Sequence, residues 1–251
     1  MKGHSEEKTD AKEWFGEWFD SPYYHILYKK RDYSEAQYFI DKVKEHLNFK
    51  PSNKILDLAC GKGRHSIYLN SKGLNVVGLD LSEQNIAFAK SFENEKLKFF
   101  VHDMREPFRE GAFCFVLNMF TSFGYFDFKE EDQQVINSIS TNLKPGGELL
   151  LDFLNPYRVV HKLVASEKKI VENIEFNISR KFEEGFIKKD ISFEDHNKTY
   201  QFQEKVRAIR KSTFEEYFQN AGLSVQGIFG DYNLNSYDKE SSERMIFICK
   251  K

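Results

Sequence analysis

The sequence carries almost no net charge, with 37 Lys and Arg against 39 Asp and Glu, a formal balance of −2. A protein that grips a nucleic-acid backbone concentrates basic residues, so nucleic acid is not expected as a partner. Cysteine is scarce: Cys60, Cys114 and Cys249 are the whole complement, with no Cys-x-x-Cys spacing. No metal is expected of them, and they read as small buried hydrophobes in a reducing compartment. Long apolar runs are missing too. No uncharged stretch approaches the roughly 18 residues a membrane span requires, and Met1 to Asp10 is polar, without the apolar segment of a secretion signal. A cytoplasmic location, with no membrane partner, is the expectation. What is plentiful is aromatic, 25 Phe and 12 Tyr in 251 residues. That length suits one α/β domain with an insertion.

The most informative stretch runs from Lys54 to Ser66. Ile55, Leu56 and Leu58 form a short apolar run without helical spacing, and Ala59, Cys60 and Gly61 then shrink to side chains too small to fill space. A buried strand ends there in a bare turn. Gly61 and Gly63 can take positive φ and let a ligand approach the main chain, and a helical pattern resumes at Arg64 with unpaired N–H groups. The turn is a nucleotide-binding candidate. A dinucleotide fingerprint would place Gly or Ala where Ser66 stands and seat a pyrophosphate on the helix. Asp57, just ahead of the turn, would repel that group but would pair with an ammonium. Val76 to Asp80 reads as a second buried strand, and Asp80 follows Gly61 by 19 positions. An acid at about that offset, roughly 20 residues, meets the ribose hydroxyls in βαβ nucleotide sites. The helix that follows has Ser82 as its own cap.

Asp57-Leu-Ala-Cys-Gly-Lys-Gly resembles motif I of the class I S-adenosylmethionine-dependent methyltransferases. Leu-Lys-Pro-Gly-Gly-Glu-Leu-Leu-Leu, from Leu143, resembles the motif before their fifth strand. The chain departs from the pattern at Ala59-Cys60, where Gly-Cys is commoner, and at Lys62, where a small or hydroxyl residue is frequent. The resemblance implies an α/β fold: a Rossmann-like, seven-stranded, mostly parallel sheet closed by a carboxyl-terminal antiparallel hairpin. It implies S-adenosylmethionine as cofactor, contacted by Tyr28, Asp57, Ala59, Cys60, Gly61, Gly63, Asp80, Leu81, Asp103, Met104, Asn118, Met119 and Phe120. Asp103 and Met104 would meet the adenine, and the loop from Asn118 to Tyr125 would lie beside the transferred methyl. Tyr125 is the catalytic candidate, with His25 or Tyr24 behind it, while His102 reads as a brace for its strand end. Methyltransferases of base amines carry Asn-Pro-Pro-Tyr or Asp-Pro-Pro-Tyr in this loop; neither is present. Met119 to Tyr125 instead resembles a small-molecule branch that includes sugar-amine N-methyltransferases, implying N- or O-methylation of a small acceptor. Two other functions share parts of this pattern. One is a nicotinamide-dependent oxidoreductase, against which Ser66, Asp57 and the hairpin count; the other is a non-catalytic S-adenosylmethionine-binding protein.

The expected division is a helical lid over 1–47, a methyltransferase domain over 48–155 and 210–251, and an antiparallel β insertion over 156–209. Residues 1–10 are charged and expected to fray. Trp14, Phe15, Trp18, Phe19, Tyr23, Tyr24, Tyr28 and Tyr33 form an aromatic cluster in which Trp14/Trp18 and Phe15/Phe19 have helical spacing and Ser21-Pro22 opens a second helix. It reads as a lid that excludes water or as cover for an apolar edge. An amphipathic helix follows, Ser34 to Leu47. In the insertion, Ile174, Phe176 and Ile178, then Ile191 and Phe193, then Tyr200 and Phe202 alternate with polar residues and predict three strands. They would wall the acceptor pocket or form the surface of a homodimer. Asp132 to Leu143 reads as a helix, Lys144-Pro145-Gly146-Gly147 as a turn no strand absorbs, and Glu148 to Phe153 as the fifth strand. Ser212-Thr213-Phe214-Glu215 has the form of a capping box.

Overall fold

The computed structural model describes residues 14–29 and 33–251. The expected fraying of residues 1–10 and the side chains of Trp14, Phe15 and Tyr33 lie outside what it describes. Five strands are parallel: β1 (Lys54–Leu58), β2 (Asn75–Asp80), β3 (Leu97–Val101), β4 (Phe113–Asn118) and β5 (Leu143–Leu154). The hairpin of β10 (Ser224–Phe229) and β11 (Arg244–Lys250) completes the sheet, antiparallel, in the order β10-β11-β5-β4-β1-β2-β3. Strands such as β4, Phe-Cys-Phe-Val-Leu before Asn118, read as apolar runs because helices cover both faces. On one face α3 (Tyr33–His46), α4 (Arg64–Ser71) and α5 (Glu83–Ala89) bring Phe39, Leu69 and Ile86 against Ile55, Val76 and Phe99. On the other, α6 (Lys129–Asn142) and α8 (Lys211–Asn220) bring Val135, Ile139 and Phe214 against Leu56, Val77 and Val116. Ile55 and Leu56 thus serve opposite layers, as the period of a strand requires.

From β1 the chain pairs β2 on one side and later returns to β4 on the other. Strand order reverses at β1, and a crevice opens at the carboxyl ends of β1 and β4. This is the expected Rossmann-like sheet, with three local departures. Lys144 to Gly147 does not interrupt β5: Phe113 faces Leu143 and Phe115 faces Glu148, so the surplus residues bulge out of the ladder. Gly146 turns at φ +73 there, and Gly146 N and Lys251 N donate, each at 3.0 Å, to Lys251 O and Gly147 O. Helix α6 starts at Lys129 rather than Asp132, its first turn held by Phe128 N donating to Glu131 Oε2 at 3.2 Å. Helix α8 starts after Arg210 with no side-chain cap, so the Ser212 to Glu215 box is not used.

Beyond α7 (Pro156–His161) the insertion is a separate sheet of four strands, not three: β6 (Ser166–Val171), β7 (Ile174–Glu183), β8 (Phe186–Asp195) and β9 (Lys198–Arg207). β6 reads Ser-Glu-Lys-Lys-Ile-Val, with no alternation to betray it, and is recruited by pairing along β7. Helices α1 (Trp14–Asp20) and α2 (Pro22–Leu27) lie on this sheet, where Trp18 and Leu27 pack with Ile174, Phe176, Ile191 and Phe193. Ser21 caps α2 by accepting from Tyr23 N at 3.2 Å, and the Trp18 ring N–H donates to Glu204 at 2.8 Å. Arg207 ties the insertion back to the main domain: its N donates to Gly124 O at 2.7 Å and its Nε to Asp132 Oδ2 at 3.0 Å. No helix among the described residues is long and apolar enough to cross a membrane. Phe176, wholly buried, sits at the centre of this second core; Phe176→Ala should cost roughly 3–5 kcal/mol, read as a lowered midpoint of urea unfolding.

Candidate active site

The site begins with the turn after β1. Ala59, Gly61 and Gly63 all take left-handed backbone, at φ +60, +56 and +76. The two glycines do different work. A Cβ on Gly61 would meet nothing within 4 Å, so this is where main chain lies open to a ligand, whereas a Cβ on Gly63 would stand 2.6 Å from the Phe99 ring. Two bonds pin the turn to β2: Cys60 N donates to Leu79 O at 2.9 Å and Gly61 N to Asp80 Oδ2 at 2.8 Å. The other oxygen of Asp80 accepts from Ser82 N at 2.9 Å. Burial holds the Asp80 carboxyl above the usual carboxylate range, against those two N–H bonds.

Asp57 is buried within β1 and accepts from Ser66 Oγ at 2.5 Å. Ser66, which breaks the dinucleotide pattern, is thus the hydroxyl that satisfies this acid. Burial nevertheless pushes the Asp57 carboxyl up to about 7, with neighbouring Asp80 adding to the rise. Asp103 is instead drawn below its ordinary value by Arg105 despite partial burial; Arg105 NH2 lies 2.6 Å from Asp103 Oδ2 and its NH1 2.7 Å from Glu131. His102 donates from Nε2 to Glu106 O at 2.8 Å, bracing the end of β3.

After β4 the chain makes a strained turn, with Phe120 at φ +59 and Thr121 at +61. Two consecutive non-glycine residues in this conformation cost about 1–2 kcal/mol each, and a buried network offsets it. Asp152 on β5 accepts from Phe120 N at 2.8 Å through Oδ2, and its backbone oxygen accepts from Thr121 N at 3.1 Å. Arg244 donates to Asp152 Oδ1 at 2.7 Å and to Thr121 Oγ1 at 2.9 Å. It comes within reach because β11 runs antiparallel to β5, setting Arg244 opposite Leu154. Phe120 is stacked on His65, centroids 4.5 Å apart, and Tyr125 donates to Thr121 O at 2.5 Å.

A cavity of about 1050 Å³ joins these parts. Tyr28, Asp57, Ala59, Cys60, Gly61, Asp80, Leu81, Asp103, Met104, Met119, Phe120 and Tyr125 all line it. Gly63 and Asn118 do not. Gly63 packs under the turn, and Asn118 is buried, its amide 3.2 Å from Leu58 O. His25 and Tyr24 line the cavity as well, with Phe19 of α1 edge-on to Tyr125 at 5.5 Å. Sequence reasoning missed His65, Asn85 and Phe126 among the lining residues, and missed Asp152 and Arg244 behind them. None carried a local signal, since each reaches the site through pairing register or helix phase. The insertion does not wall the cavity, for the described lining includes no residue of 156–209. It reaches the site through Tyr28, whose hydroxyl donates to Glu204 and accepts from Lys189.

A reversed strand order, a bare glycine turn and a strand-end acid bonded to that turn define a nucleoside-binding α/β enzyme site. Residues 55–147 match the family model described as a methyltransferase domain, and the fold is the one seen in solved S-adenosylmethionine-dependent methyltransferases. YqeM of Bacillus subtilis, assigned as a methyltransferase, is 29% identical over 210 residues, spanning 79% of this chain and 84% of its own. A dTDP-3-amino-3,4,6-trideoxy-alpha-D-glucopyranose N,N-dimethyltransferase of Streptomyces venezuelae is 31% identical over 135 residues, 51% of this chain and 54% of that one. A solved S-adenosylmethionine-dependent methyltransferase of Clostridium acetobutylicum shares the fold, with TM-score 0.76 at 21% identity, covering 91% of this chain and 95% of that one. The nicotinamide reading falls with this match, and the cofactor is S-adenosylmethionine. The cradle fits it: bare backbone at Gly61, with the carboxylates of Asp57 and Asp80 on the same cavity.

Two substitutions separate the glycines. Gly61→Ala should cost about 1–2 kcal/mol of stability through backbone strain while sharply weakening S-adenosylhomocysteine binding. Gly63→Ala should add roughly 1–3 kcal/mol of overpacking to that strain, so that thermal unfolding, more than ligand affinity, records its effect.

Proposed function

We propose that this enzyme methylates a nitrogen or oxygen of a small-molecule acceptor. The observation that carries the reading is the single cavity, which runs from the carboxylate-lined crevice at Asp57 and Asp80 to an aromatic chamber under α1 and α2. Its volume is at the upper end of ordinary ligand pockets, roughly 300–1,000 Å³, with room for donor and compact acceptor together. The similarity to an amino-sugar N,N-dimethyltransferase supports an amine as the acceptor. Loss of the prolines that base-amine methyltransferases carry, and the near-neutral chain, support a partner other than nucleic acid.

S-adenosylmethionine supplies a methyl group already activated by its sulfonium. Asp80 would hold the ribose hydroxyls, Asp103 and Met104 the adenine, and Asp57 the ammonium, while Tyr28, Ala59, Cys60, Leu81 and Met119 border them. The chain's own contribution is alignment and exclusion of water, which can be worth about 7–11 kcal/mol. Phe19, Tyr24 and Tyr28 close the chamber from the lid side, and Phe120 and Tyr125 from the loop side. The Tyr125 proton is committed to Thr121 O, so towards an acceptor its oxygen can only accept, orienting an N–H or O–H. His25, kept neutral by burial and then by the charge of Lys62, can take up the proton released.

Three measurements follow from these roles. Asp80→Ala should weaken S-adenosylmethionine binding roughly 10- to 150-fold, the worth of a hydrogen bond to a charged group, whereas Tyr125→Phe should leave donor affinity unchanged and slow turnover about 10-fold, the worth of a neutral one. Because the Asp57 carboxyl titrates at about 7 rather than 3.8, the folded protein holds this proton longer than the unfolded chain. Stability without ligand should therefore fall as pH rises across that window, and Asp57→Asn should reduce the slope, leaving the part due to Asp132, which burial also pushes up to about 7. Pairing with the donor's ammonium favours the carboxylate. Donor binding should release a proton at pH below about 7 and none well above it, as read by calorimetry in buffers of different ionisation enthalpy.

A further inference from the structure

Strand β9 carries an acid where its alternation calls for an apolar residue. Phe202 packs on Trp18 at 4.5 Å and Tyr200 stacks on Phe193 at 5.1 Å, and the period of two puts Glu204 next on the same face. The Glu204 side chain is only 18% exposed, and a carboxylate so placed is costly unless its oxygens are satisfied. Helices α1 and α2 do much of that. Oε1 accepts from the Trp18 ring N–H at 2.8 Å and from the Tyr28 hydroxyl. Lys189, directly opposite on β8, supplies the counter-charge at 3.4 Å from Oε2. Its ammonium also donates to the Tyr28 hydroxyl and lies 4.6 Å from the centroid of that ring.

One oxygen thus fastens α1 through Trp18 and the end of α2 through Tyr28. Helix α2 has two other polar ties to the insertion: Tyr23 donates to Asp195 Oδ2 at 2.9 Å, and Leu27 O accepts from Lys169 at 3.3 Å. Of the three tied residues, Tyr28 alone lines the cavity. Tyr24, also on the cavity wall, is wedged between the two anchors, 5.6 Å from Trp18 and 4.9 Å from Tyr28, and it packs in turn on Phe19 at 5.0 Å. On its other side α1 reaches the donor crevice, where Asp20 accepts from Ser82 Oγ. Stability alone does not call for a charge at 204, since replacing a buried ion pair by well-packed apolar side chains is often neutral or stabilising. An apolar side chain there would leave the Tyr28 hydroxyl, and the ring that carries it, without this anchor.

We infer that Glu204 is a positioning residue of the methyl-transfer site, although it does not line the cavity. It sets the Tyr28 ring on the cavity wall and, with Trp18, the aromatic side chains packed beside it. The inference rests on the methyl-transfer reading above, in which Tyr28 borders the donor, and extends that site to a residue of the insertion.

The test is calorimetric binding of S-adenosylhomocysteine to the wild type, Glu204→Leu, Glu204→Gln, Tyr28→Phe and the double variant Glu204→Leu/Tyr28→Phe. Glu204→Leu and Tyr28→Phe should each bind about 10-fold more weakly, the scale of a hydrogen bond to a charged group. Glu204→Gln keeps an oxygen for both donors and should stay within about threefold of the wild type. The double variant should lie within about twofold of Glu204→Leu, because the two side chains act as one unit. Wild-type affinity in Glu204→Leu, or losses that multiply to about 100-fold in the double variant, overturns the inference while leaving methyl transfer intact. If a thermal scan shows that Glu204→Leu does not fold, Tyr28→Phe decides: weaker binding at an unchanged thermal midpoint supports the inference, and wild-type binding overturns it. Failure of S-adenosylhomocysteine to bind the wild type would strike the underlying reading, and the inference with it.

Discussion

The whole site depends on one carboxylate. Asp80 sits where β2 ends and accepts two backbone N–H groups, one from Gly61 in the turn after β1 and one from Ser82 at the start of α5. A turn with three left-handed residues would otherwise have little to hold it, and with it fixed, the carboxyl ends of two parallel strands share one edge of a crevice. Asp57, one strand over, is satisfied by Ser66 from the first turn of α4. Both acids are thus held by the elements they serve, and both border the cavity.

A second constraint operates opposite. Phe120 and Thr121 take a conformation that most residues avoid, and they keep it because Asp152 and Arg244, themselves paired, bring three hydrogen bonds to the turn from β5 and β11. The carboxyl-terminal hairpin therefore does more than close the sheet: it delivers the guanidinium that steadies the turn after β4. The aromatic helices are held from elsewhere. Helices α1 and α2 share a core with the four-stranded sheet, and Tyr28 connects that core to the cavity through Glu204 and Lys189. The insertion meets the cavity through the helices packed on it.

Much of this was legible because it is local. Ile55 to Gly63 announces strand and turn by side-chain size alone, and the interval to Asp80 is set by the length of one βαβ unit. Other features depend on partners that a sequence does not name. Ser166 to Val171 becomes a strand only because β7 offers an edge, and Lys144 to Gly147 stays in β5 because β4 and the end of the chain hold the bulge from both sides. Ala59 adopts positive φ without being glycine, so composition gave no warning. The insertion's place after the fifth strand suggested a wall, but which face of its sheet met the aromatic helices was decided by packing of Trp18 and Phe176, not by chain order.

Hydrogen exchange with and without S-adenosylhomocysteine addresses the central claim most directly. Slowed exchange over 57–66, 80–82, 103–105 and 118–125, with the outer strands of the insertion unchanged, is the pattern this account requires. Exchange that is indifferent to the ligand, or protection confined to the four-stranded sheet, would contradict it.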